Sequence, residues 1–132
     1  MRTAGQIIKD KGPHFNFIDA GETVLNALNV MKNQNISYLI VKEKDKYAGI
    51  VSEKDYAHKI ILMDKHSGTT LVTEIMWKDL PVVDAQTGSL DCMILMNAAK
   101  SRYLPVFNET TFAGVLTIHD LLREAIIELE KN

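Results

Sequence analysis

Gly49-Ile50-Val51-Ser52-Glu53-Lys54-Asp55 recurs 65 residues later as Gly114-Val115-Leu116-Thr117-Ile118-His119-Asp120. At the same offset, Tyr38-Leu39-Ile40-Val41 recurs as Tyr103-Leu104-Pro105-Val106, and Asp19-Ala20 as Asp84-Ala85. Leu25, Met31, Ala48 and Ile61 have identical partners at Leu90, Met96, Ala113 and Ile126, with no insertion needed between Ile7 and Ile127. A register that keeps turn, core and polar positions in phase marks one supersecondary unit made twice. The chain divides into a first repeat over 1–63, a linker over 64–71 and a second repeat over 72–132, together one compact module.

Each repeat reads β-α-β-β-α. Phe15-Asn16-Phe17-Ile18 predicts a short strand, and Thr23 caps a helix whose core stripe is Val24, Ala27, Leu28 and Met31. Tyr38-Leu39-Ile40-Val41 and Tyr47 to Val51 form a hairpin about the charged turn Glu43-Lys44-Asp45-Lys46. A helix from Ser52 then carries Tyr56, Ile60 and Met63 inward. Polar, glycine-containing Asp64 to Thr70 joins the repeats. The second repeat predicts a helical turn at Val72–Met76, a strand at Pro81-Val82-Val83 and a helix from about Ser89 to Lys100. A hairpin from Tyr103 to Leu116 and a helix from Ile118 onward complete it. The fold class is α/β (α+β), two β-α-β-β-α units packed sheet to sheet with pseudo-twofold symmetry.

Composition narrows the function. Apolar content of 46% and charged content of 24% are ordinary for a globular protein. A net charge of -2 argues against a duplex-binding surface and leaves room only for a local basic pocket. One cysteine, Cys92, has no internal partner, which suits a reducing compartment. No secretion signal and no membrane-length apolar run is read, so the expected location is cytoplasmic, with no membrane and no nucleic acid as partner. His14, His58, His66 and His119 show no i, i+4 pairing and have no cysteine partners, and no metal site is expected. Cys92 takes the place of Ala27 on a core stripe and reads as a small buried hydrophobe. No nucleophile elbow, P-loop or dinucleotide fingerprint is present, so no catalytic residues and no enzyme activity are expected.

The ordered set Val72-Thr73-Glu74-Ile75-Met76, Arg102-Tyr103-Leu104-Pro105-Val106 and the two Gly-φ-φ-Ser/Thr-x-x-Asp segments resembles cystathionine-β-synthase (CBS) domains. A tandem pair of these is a Bateman module, here similar to small stand-alone bacterial two-domain proteins. The resemblance covers nearly the whole chain. The first repeat departs from it where Ile40 stands for Pro105, and where Lys11 and Gly12 stand for Met76 and Trp77.

The motif residues admit two readings. Ser52 and Thr117 are helix N-caps with Asp55 and Asp120 three residues on, the spacing of a capping box. Aspartate is shorter than the usual glutamate, so a box alone is a poor reason for Asp at both places. The resemblance implies instead that each carboxylate accepts the ribose hydroxyls of an adenosine nucleotide (AMP, ATP or NAD), a regulatory ligand, no cofactor being required. It implies two clefts between the halves. One would use Thr117 and Asp120 with Phe15, Asn16, Ser37 and Tyr38; the other Ser52 and Asp55 with Leu80, Pro81, Arg102 and Tyr103. Tyr38 and Tyr103 also read as core-edge aromatics, and Lys54 and His119, just before each Asp, as a solvated helix face or phosphate contacts. His58 and Arg123, one turn later, read the same way. Arg102 supplies a cation where Ser37 has a hydroxyl, so the Asp55 site is expected to favour phosphorylated ligands and the Asp120 site to discriminate less.

The resulting expectation is a regulatory sensor acting on a separate effector protein. The competing one is an assembly module whose nucleotide clefts are vestigial. Leu121, Leu122, Ile126, Ile127 and Leu129 nearly encircle the last helix, which together with the resemblance predicts a homodimer.

Overall fold

The computed structural model describes residues 1–12 and 16–131. Two compact units form: a central one over residues 15–79 and a terminal one joining residues 1–14 to 80–132. The first repeat supplies α1 (Ala4–Lys11), β1 (Phe17–Asp19), α2 (Val24–Gln34), β2 (Tyr38–Glu43), β3 (Lys46–Ser52) and α3 (Glu53–Tyr56). The second supplies α4 (Val72–Ile75), β4 (Val83–Asp84), α5 (Ser89–Ala99), β5 (Tyr103–Asn108), β6 (Thr111–Thr117) and α6 (Ile118–Glu130).

Each unit holds a three-stranded sheet, ordered β1-β2-β3 or β4-β5-β6. The first strand runs parallel to the second across a helical crossover, and the second pairs antiparallel with the third. In the first hairpin Lys44 and Asp45 take φ of 51° and 62°, the left-handed pair whose twist suits a two-residue turn. The sequence repeat extends to backbone detail. Register shifts fall at Val41/Lys42 and at Val106/Phe107, and α2 and α5 both end on left-handed residues, Asn35 and Lys100.

The leading helices change places. Ala4, Ile7 and Ile8 of α1 are buried with Val83, Cys92, Met96, Leu104 and Leu116 of the second repeat. Val72 and Ile75 of α4 are buried with Val24, Met31, Leu39, Val51 and Ile60 of the first. Thr3 and Gln6 close a capping box around the start of α1. The segment between the repeats is ordered by the start of α2, whose Val24 and Leu25 N–H groups donate to Thr70 O at 2.8 Å and Ser67 O at 2.9 Å.

Several elements differ from expectation. α1 has no counterpart among the predicted ones, although Thr3-x-x-Gln6 before Ile7 and Ile8 carries its signal. β1 begins at Phe17, and Phe15 lies outside the described residues. β4 begins at Val83, two residues beyond Pro81, which has no N–H to give a ladder. After Tyr56 the helix widens into a π-helical stretch over Ala57–Ile61, and Asp64 turns left-handed. That widened turn breaks the 3.6-residue phase, so Ile60 is buried but Met63 is 64% exposed.

Candidate functional site

Each third strand runs into its helix through the repeated motif. In the central unit Gly49 lies where Ile50 and Trp77 exchange hydrogen bonds, Ile50 N–H to Trp77 O at 3.1 Å and Trp77 N–H to Ile50 O at 2.8 Å. A Cβ on Gly49 would stand 2.8 Å from the Trp77 carbonyl oxygen, so the motif glycine is there for close passage of a neighbouring backbone. Gly114 is required for another reason. Its φ of 150° lies in territory that side chains rarely adopt.

Both helix starts are closed capping boxes. Ser52 N–H donates to Asp55 Oδ2 at 2.9 Å, and Asp55 N–H donates to Ser52 Oγ at 3.3 Å. Thr117 N–H donates to Asp120 Oδ2 at 2.8 Å, and Asp120 N–H to Thr117 Oγ1 at 3.3 Å. The Ser52 hydroxyl also donates to Asp55 Oδ2 at 3.0 Å. Aspartate, though shorter than the usual glutamate, therefore makes the return bond at both places. Both carboxylates are buried, at 6% and 5% exposure.

Their cations come from different places. Lys59, one turn along the same helix, places Nζ 3.2 Å from Asp55 Oδ1 and donates to Ile75 O at 2.8 Å. Asp120 Oδ2 instead accepts from Lys11 Nζ at 2.8 Å, at the end of α1, while Lys11 also donates to Val115 O at 2.9 Å. Arg123 donates to Asp120 Oδ1 at 3.1 Å. Burial pushes the Asp120 carboxyl up, but Lys11 and the Thr117 N–H and hydroxyl outweigh it and hold its pKa below the ordinary value. At the position equivalent to Lys59 stands Glu124, also buried and bonded by the Arg2 guanidinium at 3.0–3.3 Å. That contact carries its pKa below the ordinary value, against the opposing effect of burial. Sequence reasoning missed Lys11; its one signal was the departure from Met76.

The other expected residues take these places. Tyr38 and Tyr103 are half-buried at the starts of β2 and β5, in register with Ser52 and Thr117. Ser37 O accepts Glu53 N–H at 3.1 Å, and Arg102 O accepts Ile118 N–H at 2.9 Å. Each unit thus brings its hairpin start to its own helix start. Asn16 O accepts Ile40 N–H at 2.7 Å, Leu80 is buried, Pro81 is half-buried, and Lys54, His58 and His119 are exposed. Arg102 borders a groove of about 430 Å³ between α5 and α6, with Met93, Lys100, Leu121 and Leu122. Cys92 is fully buried, and burial raises its thiol pKa. Among the described residues no group of three or more His, Cys, Asp or Glu is placed to hold a metal, and no helix is long and apolar enough to cross a membrane.

The family model for the CBS domain matches residues 8–62 and again 72–126. The chain belongs to the CBS-domain family. A CBS-domain signal-transduction protein of Burkholderia ambifaria, described as putative, superposes with a TM-score of 0.88 at 34% identity, over 95% of this chain and 94% of its own. The CBS-domain crystal structure NE2398 gives 0.87 at 35% identity, over 96% and 99%. The mitochondrial CBS-domain protein CBSX3 of Arabidopsis thaliana is 30% identical over 96% of this chain, which spans 66% of CBSX3. The paired β-α-β-β-α repeats with three-stranded sheets are therefore those of a tandem CBS protein.

Proposed function

We propose that this CBS pair is a regulatory sensor that binds adenosine nucleotides of the AMP, ATP or NAD type and catalyses no reaction. The observation that carries this reading is the twice-repeated buried carboxylate, Asp55 and Asp120, at a motif helix start. A cap needs only the Ser or Thr hydroxyl. A carboxylate buried beside it costs desolvation and adds acceptor capacity, about four lone-pair directions, not all taken by the cap and its cation. Two vicinal ribose hydroxyls are donors that suit such a carboxylate, one taking the remaining direction and the other exchanging with a cation. Asn16, Ser37 and Tyr38 for the Asp120 site, and Leu80, Pro81, Arg102 and Tyr103 for the Asp55 site, belong to the same proposal, with Lys54 and His119 as phosphate contacts.

The nucleotide acts by linkage: it favours one packing, and an effector protein that prefers that packing gains affinity in return. We place the protein in the cytoplasm as a homodimer. The exposed apolar face of α6, with Leu122, Ile126, Ile127 and Leu129, supports self-association. A second reading, an assembly module with vestigial clefts, is favoured by the capping boxes, which give each aspartate a structural role at its helix start.

Thermal melting with millimolar AMP, ATP and NAD separates the two. A ligand at about 100 times its Kd stabilises by about 2.7 kcal/mol, a shift of several degrees, whereas an assembly module melts unchanged with all three. In titration calorimetry, Asp120→Ala should weaken binding at its site roughly ten- to a hundredfold, about 1.5–3 kcal/mol for a charged acceptor. Unchanged affinity with a sharply lower melting temperature would make the aspartate a cap alone.

A further inference from the structure

Lys11 reaches Asp120 across 109 positions of sequence, and its ammonium lies on the carboxylate oxygen that closes the Thr117 cap. Asp120 is nearly inaccessible, at 4% side-chain exposure, whereas the Lys11 side chain is 33% exposed. The lysine is therefore the solvent-facing side of the pair. With Arg123 on Oδ1, both carboxylate oxygens carry a cation. A neutral diol must compete with Lys11 for Asp120, replacing an ion pair with a hydroxyl–carboxylate bond in which only one partner is charged. A ligand that also brings a phosphate gives the displaced ammonium another anion. Lysine suits such an exchange, because its three donors sit on a flexible stem. One can stay on Val115 O, 2.9 Å away, while the others change partner.

We propose that Lys11 is a specificity-determining residue of the Thr117–Asp120 site, making that site select phosphorylated adenosine ligands over adenosine itself. The inference rests on the nucleotide reading above and adds to it. From sequence, Arg102 alone supplied a phosphate cation, and the Asp120 site was expected to discriminate little. The position equivalent to Lys11 is Met76, without charge, and Asp55 takes its cation from Lys59.

The test uses the full chain carrying Asp55→Ala, so that heat arises from the Asp120 site. AMP and adenosine are titrated with Lys11 intact, with Lys11→Met and with Lys11→Arg. With Lys11 intact, AMP should bind about tenfold or more tighter than adenosine. Lys11→Met should bring the two within about threefold, chiefly by weakening AMP, with adenosine affinity equal or higher because its competitor is gone. Lys11→Arg should restore the preference. A preference that survives Lys11→Met, or equal weakening of both ligands, overturns the inference while leaving the nucleotide reading standing. Absence of heat with either ligand in the unmutated chain and in the Lys11-containing variant overturns the nucleotide reading, and this inference with it.

Discussion

At Ser52 the motif helix secures its aspartate from within, with a lysine one turn along the same helix. At Thr117 the same capping box is secured by Lys11, from the far end of the sequence, and the position matching Lys59 is Glu124, held by Arg2. The cap is local and has been kept at both places, and each aspartate has one cation from its own helix, Lys59 or Arg123; Asp120 adds a second from a distance, Lys11. Burying a carboxylate demands compensating donors, but not donors from any particular element. One consequence concerns the leading helices. In the terminal unit the α1 segment is bound through ion pairs, among them Arg2 with Glu124 and Lys11 with Asp120. In the central unit α4 is held by a neutral acceptor, Ile75 O, bonded by Lys59.

The largest expected effect separates the two motif glycines. Gly49→Ala drives a methyl group against the Trp77 carbonyl, a backbone atom that cannot rotate away, and should cost about 2–3 kcal/mol. Gly114→Ala meets a dihedral penalty, about 1–3 kcal/mol, because φ of 150° suits glycine. Urea unfolding measures both. Trimming Met76, whose Sδ would lie 3.0 Å from the new Cβ, should relieve Gly49→Ala only in part, since the carbonyl remains. Full relief would show that side-chain crowding, and not the backbone, excludes a methyl there.

The gap-free repeat already implied the order of elements along the chain, the hairpins and the caps, because these depend on short-range pattern: alternation, a turn and a cap residue at fixed spacing. Asp55 and Asp120 were legible for the same reason. What escaped was whatever depends on a partner distant in sequence. Lys11 is an ordinary lysine at the end of a helix until Asp120 lies opposite it, and α1 acquires its core role only against Val83, Cys92 and Leu104. Met63 escaped differently: a helical wheel assumes 3.6 residues per turn, and the π-helical stretch at Ala57–Ile61 breaks that count.

An intermediate effect is expected from acid. Asp120 has its pKa held down in the folded chain, so its contribution is complete above the unfolded value near pH 4 and is lost as pH falls through the lower folded value. Lys11→Met removes one cause of that depression. At pH 7 it should destabilise by about 1–2 kcal/mol, between an exposed pair and a buried one. The gap to the unmutated chain should close as pH falls from about 5 to below 3. A gap that stays constant across that range would show that Lys11 contributes by packing its stem and not by its charge.

The smallest effect belongs to Lys59, and it carries its own reporter. The pair with Asp55 is an i, i+4 contact with the lysine 41% exposed, so Lys59→Met should cost only about 0.5–1 kcal/mol. The same ammonium lies 5.5 Å from the centre of the Trp77 ring, and Trp77 is the only tryptophan in the chain. Removing a cation from the face of an indole changes its electrostatic surroundings. Trp77 fluorescence should therefore shift in Lys59→Met at neutral pH, in a chain that stays folded. Lys11→Met alters a cation in the other unit and should leave the emission maximum where it was. Equal shifts from both variants would mean that the two aspartate–lysine pairs are coupled, and the separation of a locally secured start from a distantly secured one would fail.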